Sequence, residues 1–223
     1  MNIRTVGDVR VLTPDLDPRD LDPVAEPPED ELVEALVDGA VWSGLALGVA
    51  GIRLSHLVNV TLTGADWRNT PLYGCRFERV DLSGARLAGV AIERCEFNGC
   101  RMTGVQLTDA VLKNVVFDGC RLDYAALTRV RVTGPVAMVE CNLDNATLRR
   151  CQLPQTAISG CRLSQVELDE CDLRGADLRD SDLSSLTGMS SLRGAVITGS
   201  QLGELAAALP RELDLTVHAD PAR

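Results

Sequence analysis

Eight cysteines are the residues in this chain best suited to chemistry: Cys75, Cys95, Cys100, Cys120, Cys141, Cys151, Cys161 and Cys171. A thiolate can ligate a soft metal, attack an electrophile or close a disulfide. A zinc site draws its ligands from close spacings, usually Cys-x-x-Cys pairs with histidine. This chain has no such pair, and neither of its two histidines, His56 and His218, is placed to form a relay with a cysteine. Five carboxylates, Asp66, Asp81, Asp172, Asp177 and Asp182, invite a reading as acid–base pairs. Each stands directly before a large apolar residue, and recurrence at one place in a unit marks a turn or surface role. Phosphate-loop, dinucleotide, nucleophile-elbow and His-Glu-x-x-His motifs are absent. The expectation is no catalytic residue, no cofactor and no metal. The cysteines do recur at one fixed interval, as Cys75 with Cys95 and Cys100 with Cys120, and that interval belongs to whatever positions them.

What positions them is a five-residue repeat. Every fifth residue from Leu47 through Ile52, Leu57, Leu62, Trp67, Leu72 and Phe77 to Val132 is large and apolar, 18 of 18. Pro135 shifts the frame by one residue, and it resumes as Met138, Leu143, Leu148 and onward to Leu183, ten of ten. At 45% hydrophobic content, such a run has a chance probability on the order of 10^-10. Two residues earlier the unit carries a small residue: Val60, Ala65, Thr70, Cys75, Val80, Ala85. All eight cysteines fall there, which suits a small hydrophobe in a narrow core.

Residues two apart in extended chain point the same way, so the small and the large residue of each unit both face inward. The other three turn the corner, helped by glycine at the last position (Gly74, Gly84, Gly89, Gly99, Gly104, Gly119). Turning at every fifth residue closes a square after four units. Phe77, Phe97 and Phe117, each four units from the next, are then stacked on one face. The cysteine pairs share that interval. Coils at strand spacing, seven to eight of them, make a rod of roughly 35–40 Å. Aromatic content of 3% fits so narrow an interior.

The units Ala65-Asp66-Trp67, Cys171-Asp172-Leu173, Ala176-Asp177-Leu178 and Ser181-Asp182-Leu183 resemble those of the pentapeptide-repeat family, over about 150 residues. The resemblance implies an all-β, right-handed quadrilateral parallel β-solenoid. It also implies two further things, carried by members that protect DNA gyrase: a DNA-mimicking acidic surface that binds gyrase and confers fluoroquinolone resistance, and a C-terminal helix that pairs protomers. The family's fold hosts unrelated roles.

The two ends need covers, because open strand edges invite aggregation. Thr198 and Gln201 have capping-box spacing, and Leu202, Leu205, Ala206 and Leu209 form one apolar stripe ending at Pro210. A helix over 198–210 is expected, capping the last coil, dimerising, or both, followed by a tail over 211–223. Residues 1–34 hold five of the ten prolines and read as an acidic, extended or partly disordered leader. Glu29 to Asp38 could form a short capping helix, but Ala35, Val37, Ala40 and Trp42 keep the repeat frame, placing the solenoid at 35–197.

Charge weighs on the partner. Residues 1–46 carry 11 acids and 3 bases, while residues 47–202 carry 17 of each. The acidity therefore lies in the leader, and a DNA mimic needs a continuous acidic face. On the rod, acids gather only late, as Glu167, Asp169, Glu170, Asp172, Asp177, Asp180 and Asp182, while Arg101, Arg121 and Arg162 form a basic column interrupted by Asn142. Those arginines read as solvated side chains paired with Asp123 and Asp144. The leading expectation is a non-catalytic interaction or scaffold module with a protein partner, and DNA gyrase is the named alternative. A homodimer through the helix is compatible with both. Net acidity argues against direct nucleic-acid binding. No apolar run approaches the ~20 residues of a membrane span, and the absence of a secretory layout places the chain in the cytoplasm. Lys113 as the single lysine suggests a GC-rich bacterial genome.

Overall fold

The computed structural model describes residues 2–216 and 218. They form a parallel β-solenoid of about seven turns with one C-terminal helix. The five-residue frame sets the cross-section: in unit after unit the small and the large residue are both buried, as with Ala65 and Trp67, Cys75 and Phe77, or Val80 and Leu82, each 0% exposed. Four columns of large residues define four faces. The first runs through Leu62, Leu82 and Met102, the second through Trp67, Leu87 and Leu107, the third through Leu72, Ile92 and Leu112, and the fourth through Phe77, Phe97 and Phe117. The second face is a seven-stranded parallel sheet; the third and fourth belong to one larger sheet.

Backbone bonds join each coil to the next at the four-unit interval, as in Asp81 N to Val60 O and Arg101 N to Val80 O, both 2.9 Å. Phe77, Phe97 and Phe117 stack with centroids 4.6 and 4.9 Å apart and planes within 12°. Pro135 is absorbed at one corner: the register moves from Phe97 opposite Phe117 to Phe117 opposite Met138, and Val115 N bonds Pro135 O at 3.2 Å.

The inward small position also satisfies polar groups. The Cys75 thiol donates to Ile52 O at 3.2 Å and that of Cys120 to Phe97 O at 3.2 Å. Thr70 and Ser181 do the same to Leu47 O and Ile158 O, at 2.8 and 3.0 Å. Cysteine, serine and threonine are thus equivalent solutions here: small side chains whose donor reaches a carbonyl of the preceding coil.

Helix α1 (Gly199–Glu212) closes the far end, and its Thr198–Gln201 capping box is formed. The Gln201 amide donates to Leu178 O and Ser181 O, both at 2.7 Å. Glu204 accepts from Leu183 N at 3.1 Å, and Glu212 from Gly188 N and Met189 N at 2.9 Å each. Gly188 itself is irreplaceable in this geometry: its φ is +77° and a Cβ there would lie 1.7 Å from Leu168 O. The helix does not stop at Pro210, which lies inside it; it runs on to bring Glu212 over the last coil. Of the expected tail, 217 and 219–223 lie outside the described residues.

The segment before Ala35 is built differently from the expected extended leader. Strands β1 (Asn2–Val6) and β2 (Val9–Thr13) form an antiparallel hairpin. Strand β3 (Asp22–Pro23) pairs with β5 (Ala35–Asp38), and β4 (Glu31–Val33) pairs with Gly51–Arg53. Parallel pairing therefore begins before Ala35, and Glu29 to Asp38 holds strands rather than a helix. The β-branched and apolar Leu32, Val33, Leu36 and Val37 explain the choice.

Truncating the middle ring of the stack leaves a void that both neighbouring coils border. Phe97→Ala is expected to destabilise the fold by about 3–5 kcal/mol, read from urea unfolding; a loss below about 1 kcal/mol would mean the stack is not part of the cooperative core.

Candidate interaction surfaces

With the interior filled, the side chains that can meet a partner are those at the three outward positions of each unit. The basic column lies where the repeat frame puts it, on the first face: Thr61, Asp81, Arg101, Arg121, Asn142 and Arg162 are consecutive bridge partners. Arg121 meets Asp123 at 3.7 Å and Arg162 meets Asp144 at 2.6 Å, whereas Arg101 reaches back to Asp81 at 3.4 Å. All three guanidinium groups are more than half exposed, so each pair contributes little stability.

The late acids are not brought together on one face. Glu167 and Asp169 stand on the second face, Asp172 on the third, Asp177 on the fourth and Asp182 on the first, with Glu170 and Asp180 at corners. They encircle the last full coil as a girdle. Arginines neutralise much of it: Arg149 with Asp169 at 2.9 Å, Arg150 with Glu170 at 2.7 Å, Arg174 with Asp172 at 2.5 Å and Arg179 with Asp177 at 2.6 Å. The Arg174 guanidinium holds the Asp172 carboxyl down at about 2. Asp182 instead accepts from Ser184 N at 2.9 Å, closing a local turn.

Counted with its corner residues, the fourth face carries the largest excess of acids, with Asp38, Glu78, Glu96, Asp118, Glu140, Asp177 and Asp180 against Arg76, Arg79 and Arg179. The hairpin lies on the middle of this face. Val11 is 0% exposed and packs on Val116 and Ala137, outward positions that are themselves 0% exposed. Arg4 bonds Asp118 at 2.5 Å, Asn114 accepts from Leu12 N at 3.2 Å, and Asp8 takes the Arg179 guanidinium at 2.8 Å. Further along, Arg76 is bonded to Glu96 at 3.1 Å. The sequence held one signal for this cover: Val116, Ala137 and Ala157 are apolar at an outward position where other units carry His56, Arg76, Glu96 and Asp177.

His56 is buried on this face, with its Nε2 3.3 Å from Glu78. Burial and then the Arg76 charge push its pKa below the usual histidine value, against the pull of Glu78. Seven of the cysteines are buried and Cys171 is half-buried; burial first, then contact with Cys75, drives the Cys95 thiol up, away from the reactive thiolate. Among the described residues no cluster of histidine, cysteine and carboxylate could hold a metal ion.

The C-terminal stripe divides. Leu205 packs partly on the core, while Leu202 is 62% and Leu209 39% exposed and Ala206 is exposed. The surface that seals the coil is instead Gln201, Glu204, Ala208 and Glu212, because the open backbone donors and acceptors of the last coil demand polar partners.

Because the hairpin is held by a small apolar patch and a few ion pairs, one change at its centre should detach it. Val11→Asp is expected to make residues 2–13 sensitive to limited proteolysis while the solenoid's circular dichroism is unchanged; equal protection in both proteins would refute the packing described for Val11.

Residues 70–135 match the family model described as a pentapeptide repeat region, and residues 137–165 that of pentapeptide repeats (8 copies). Among solved structures, the chain is similar to a trypsin-treated variant of QnrB1, a plasmid-mediated fluoroquinolone resistance protein, at 18% identity, covering 84% of this chain and 97% of that one with a TM-score of 0.59. It is also similar to HetL, a pentapeptide repeat protein involved in heterocyst differentiation regulation from the cyanobacterium Nostoc sp. strain PCC 7120, at 20% identity, 77% and 92% coverage and a TM-score of 0.37. No curated protein matches the chain. The repeat frame, its coiling and the two matched segments identify residues 70–165 as pentapeptide repeats.

Proposed function

We propose that this chain is a non-catalytic interaction module, a rigid cytoplasmic rod that presents fixed side chains to a protein partner. The observation that carries the reading is the interior: one apolar cluster runs from Leu32 to Leu186, so side-chain chemistry is displayed only on the outside. Repetition at strand spacing gives flat faces whose groups are held in register, which suits recognition without reorganisation. No helix among the described residues is long and apolar enough to cross a membrane.

A DNA-mimicking gyrase-binding role, of the kind suggested by a fluoroquinolone resistance protein of the same fold, is the alternative. Fold similarity at this identity does not carry function. Electrostatics weigh against it: the girdle of acids circles the rod and is largely paired with arginines, and the hairpin lies over part of the most acidic face, where Arg4 pairs with Asp118. Titrating the protein into a gyrase supercoiling reaction, with and without a fluoroquinolone, is expected to change neither rate nor drug sensitivity at tenfold excess. Inhibition or protection near stoichiometry would replace the module reading with the mimic.

The exposed stripe on α1 favours a second copy as one partner, since Leu202 and Leu209 leave apolar area uncovered. Light scattering is expected to give twice the chain mass, and the double variant Leu202→Asp, Leu209→Asp a single chain mass. A wild-type protein that stays monomeric at high concentration would remove the dimer.

A further inference from the structure

The N-terminal end of the solenoid is only half closed. Between coils, strands pair at the four-unit interval, as Glu31 with Gly51 and Leu36 with His56. One step earlier the interval shortens, with Asp22 opposite Ala35 and Pro23 opposite Leu36. Residues 24–30 therefore run from the fourth face straight to the third, cutting across the corner where a full coil would place units on the first and second faces. The consequence is an open edge. Strand β6 (Ala46–Leu47) ends the seven-stranded sheet. On the first face, Trp42 N and Ala40 O bond Thr61 of the next coil at 2.8 and 2.9 Å, while Val41 N donates to no group among the described residues.

Three observations say what this edge is suited to receive. Its backbone groups face outward in the parallel register of the sheet, so an extended chain is the complementary shape. A cleft of about 410 Å³ runs alongside, lined in part by Ala25, Glu26, Pro27, Val41, Trp42 and Ser43, and Val41 and Val49 are 73% and 77% exposed. The segment that crosses the open corner is acidic: residues 24–30 hold Glu26, Glu29 and Asp30 and no basic residue, and Glu26 lines the cleft. That charge repels a second copy placed head to head, and α1 covers the opposite end, which leaves no open coil for head-to-tail stacking.

We propose that this open edge binds an extended, basic segment of a partner protein, which adds a β-strand beside Val41–Leu47 in the place of the missing first- and second-face units. The bound segment hydrogen-bonds through its backbone, sets alternate apolar side chains against Val41 and the Trp42 cleft, and turns its basic side chains toward Glu26 and its acidic neighbours. This deepens the interaction-module reading and rests on it.

The test uses the full chain and a short fluorescein-labelled peptide of alternating valine and arginine, with a valine–glutamate peptide as control. Anisotropy is expected to show binding of the basic peptide only, with amide chemical-shift changes concentrated at 40–48. Val41→Pro removes the outward N–H, and proline is accepted at this position of the unit at Pro71; it is expected to weaken binding at least tenfold with the circular dichroism unchanged. Glu26→Lys with Glu29→Lys is expected to do the same without touching the edge, and it decides the matter if the proline variant folds poorly. Undiminished binding by the folded variants, equal binding of both peptides, or shifts centred elsewhere would overturn the proposal. So would no binding at all, whereas the module reading would still stand on its own enzyme and oligomerisation measurements.

Discussion

The constraint on which everything else rests is that each coil must satisfy the backbone of the next. Thr61 bonds Ala40, Asp81 bonds Val60 and Arg101 bonds Val80 along one face, and the same interval recurs around the square. Buried amides cannot be left unpaired, so residues one coil apart must have the same conformation and equivalent room. That single demand forces a small inward residue beside a large one in every unit and permits cysteine, serine or threonine where a donor can reach the preceding coil. It also permits one extra residue only at a corner, where Pro135 shifts the register without breaking a column.

Such a ladder propagates indefinitely unless stopped, and the two ends stop it by different means. At the C-terminal end the stop is polar: Gln201, Glu204 and Glu212 on α1 supply the bonds a further coil would have made. At the N-terminal end the stop is incomplete, since β3 and β4 cover the fourth and third faces while the chain cuts across the others. The hairpin β1–β2 takes no part in the ladder; it lies flat on the fourth face, held by Val11 and by ion pairs to Asp118 and Arg179. One sheet fold thus offers a closed end, an open end and one shielded face.

Surface charge follows from the same geometry. Neighbours one coil apart lie about 4.8 Å from one another, and residues either side of a core position, on the same outer side of the strand, about 6.6 Å. Arginine and carboxylate therefore meet within and between coils: Arg174 with Asp172, Arg129 with Asp109, Arg150 with Glu170. Each exposed pair stabilises the fold little, but together they level the potential along the rod. A cluster that looks acidic when read along the chain becomes a ring when the chain is coiled, because every unit turns one corner.

Residue spacing alone makes legible the repeat, the inward and outward positions, the four-unit coil and the capping box at Thr198 and Gln201. Each of these depends on residues whose spacing is local or strictly periodic. The basic column through Arg101, Arg121 and Arg162 was legible for the same reason. The features set by long-range packing lie outside the period. The hairpin's seat on Val116 and Ala137 joins segments far apart in the chain with no repeat between them. The burial of His56, the shortcut before Ala35 and the choice of Gln201, Glu204 and Glu212 over the leucine stripe to seal the last coil are of the same kind. Periodicity reports what each residue shares with its equivalents in other coils. Ends and covers have no equivalents, and their conformation is set by whichever unsatisfied backbone and exposed apolar surface the completed solenoid leaves for them.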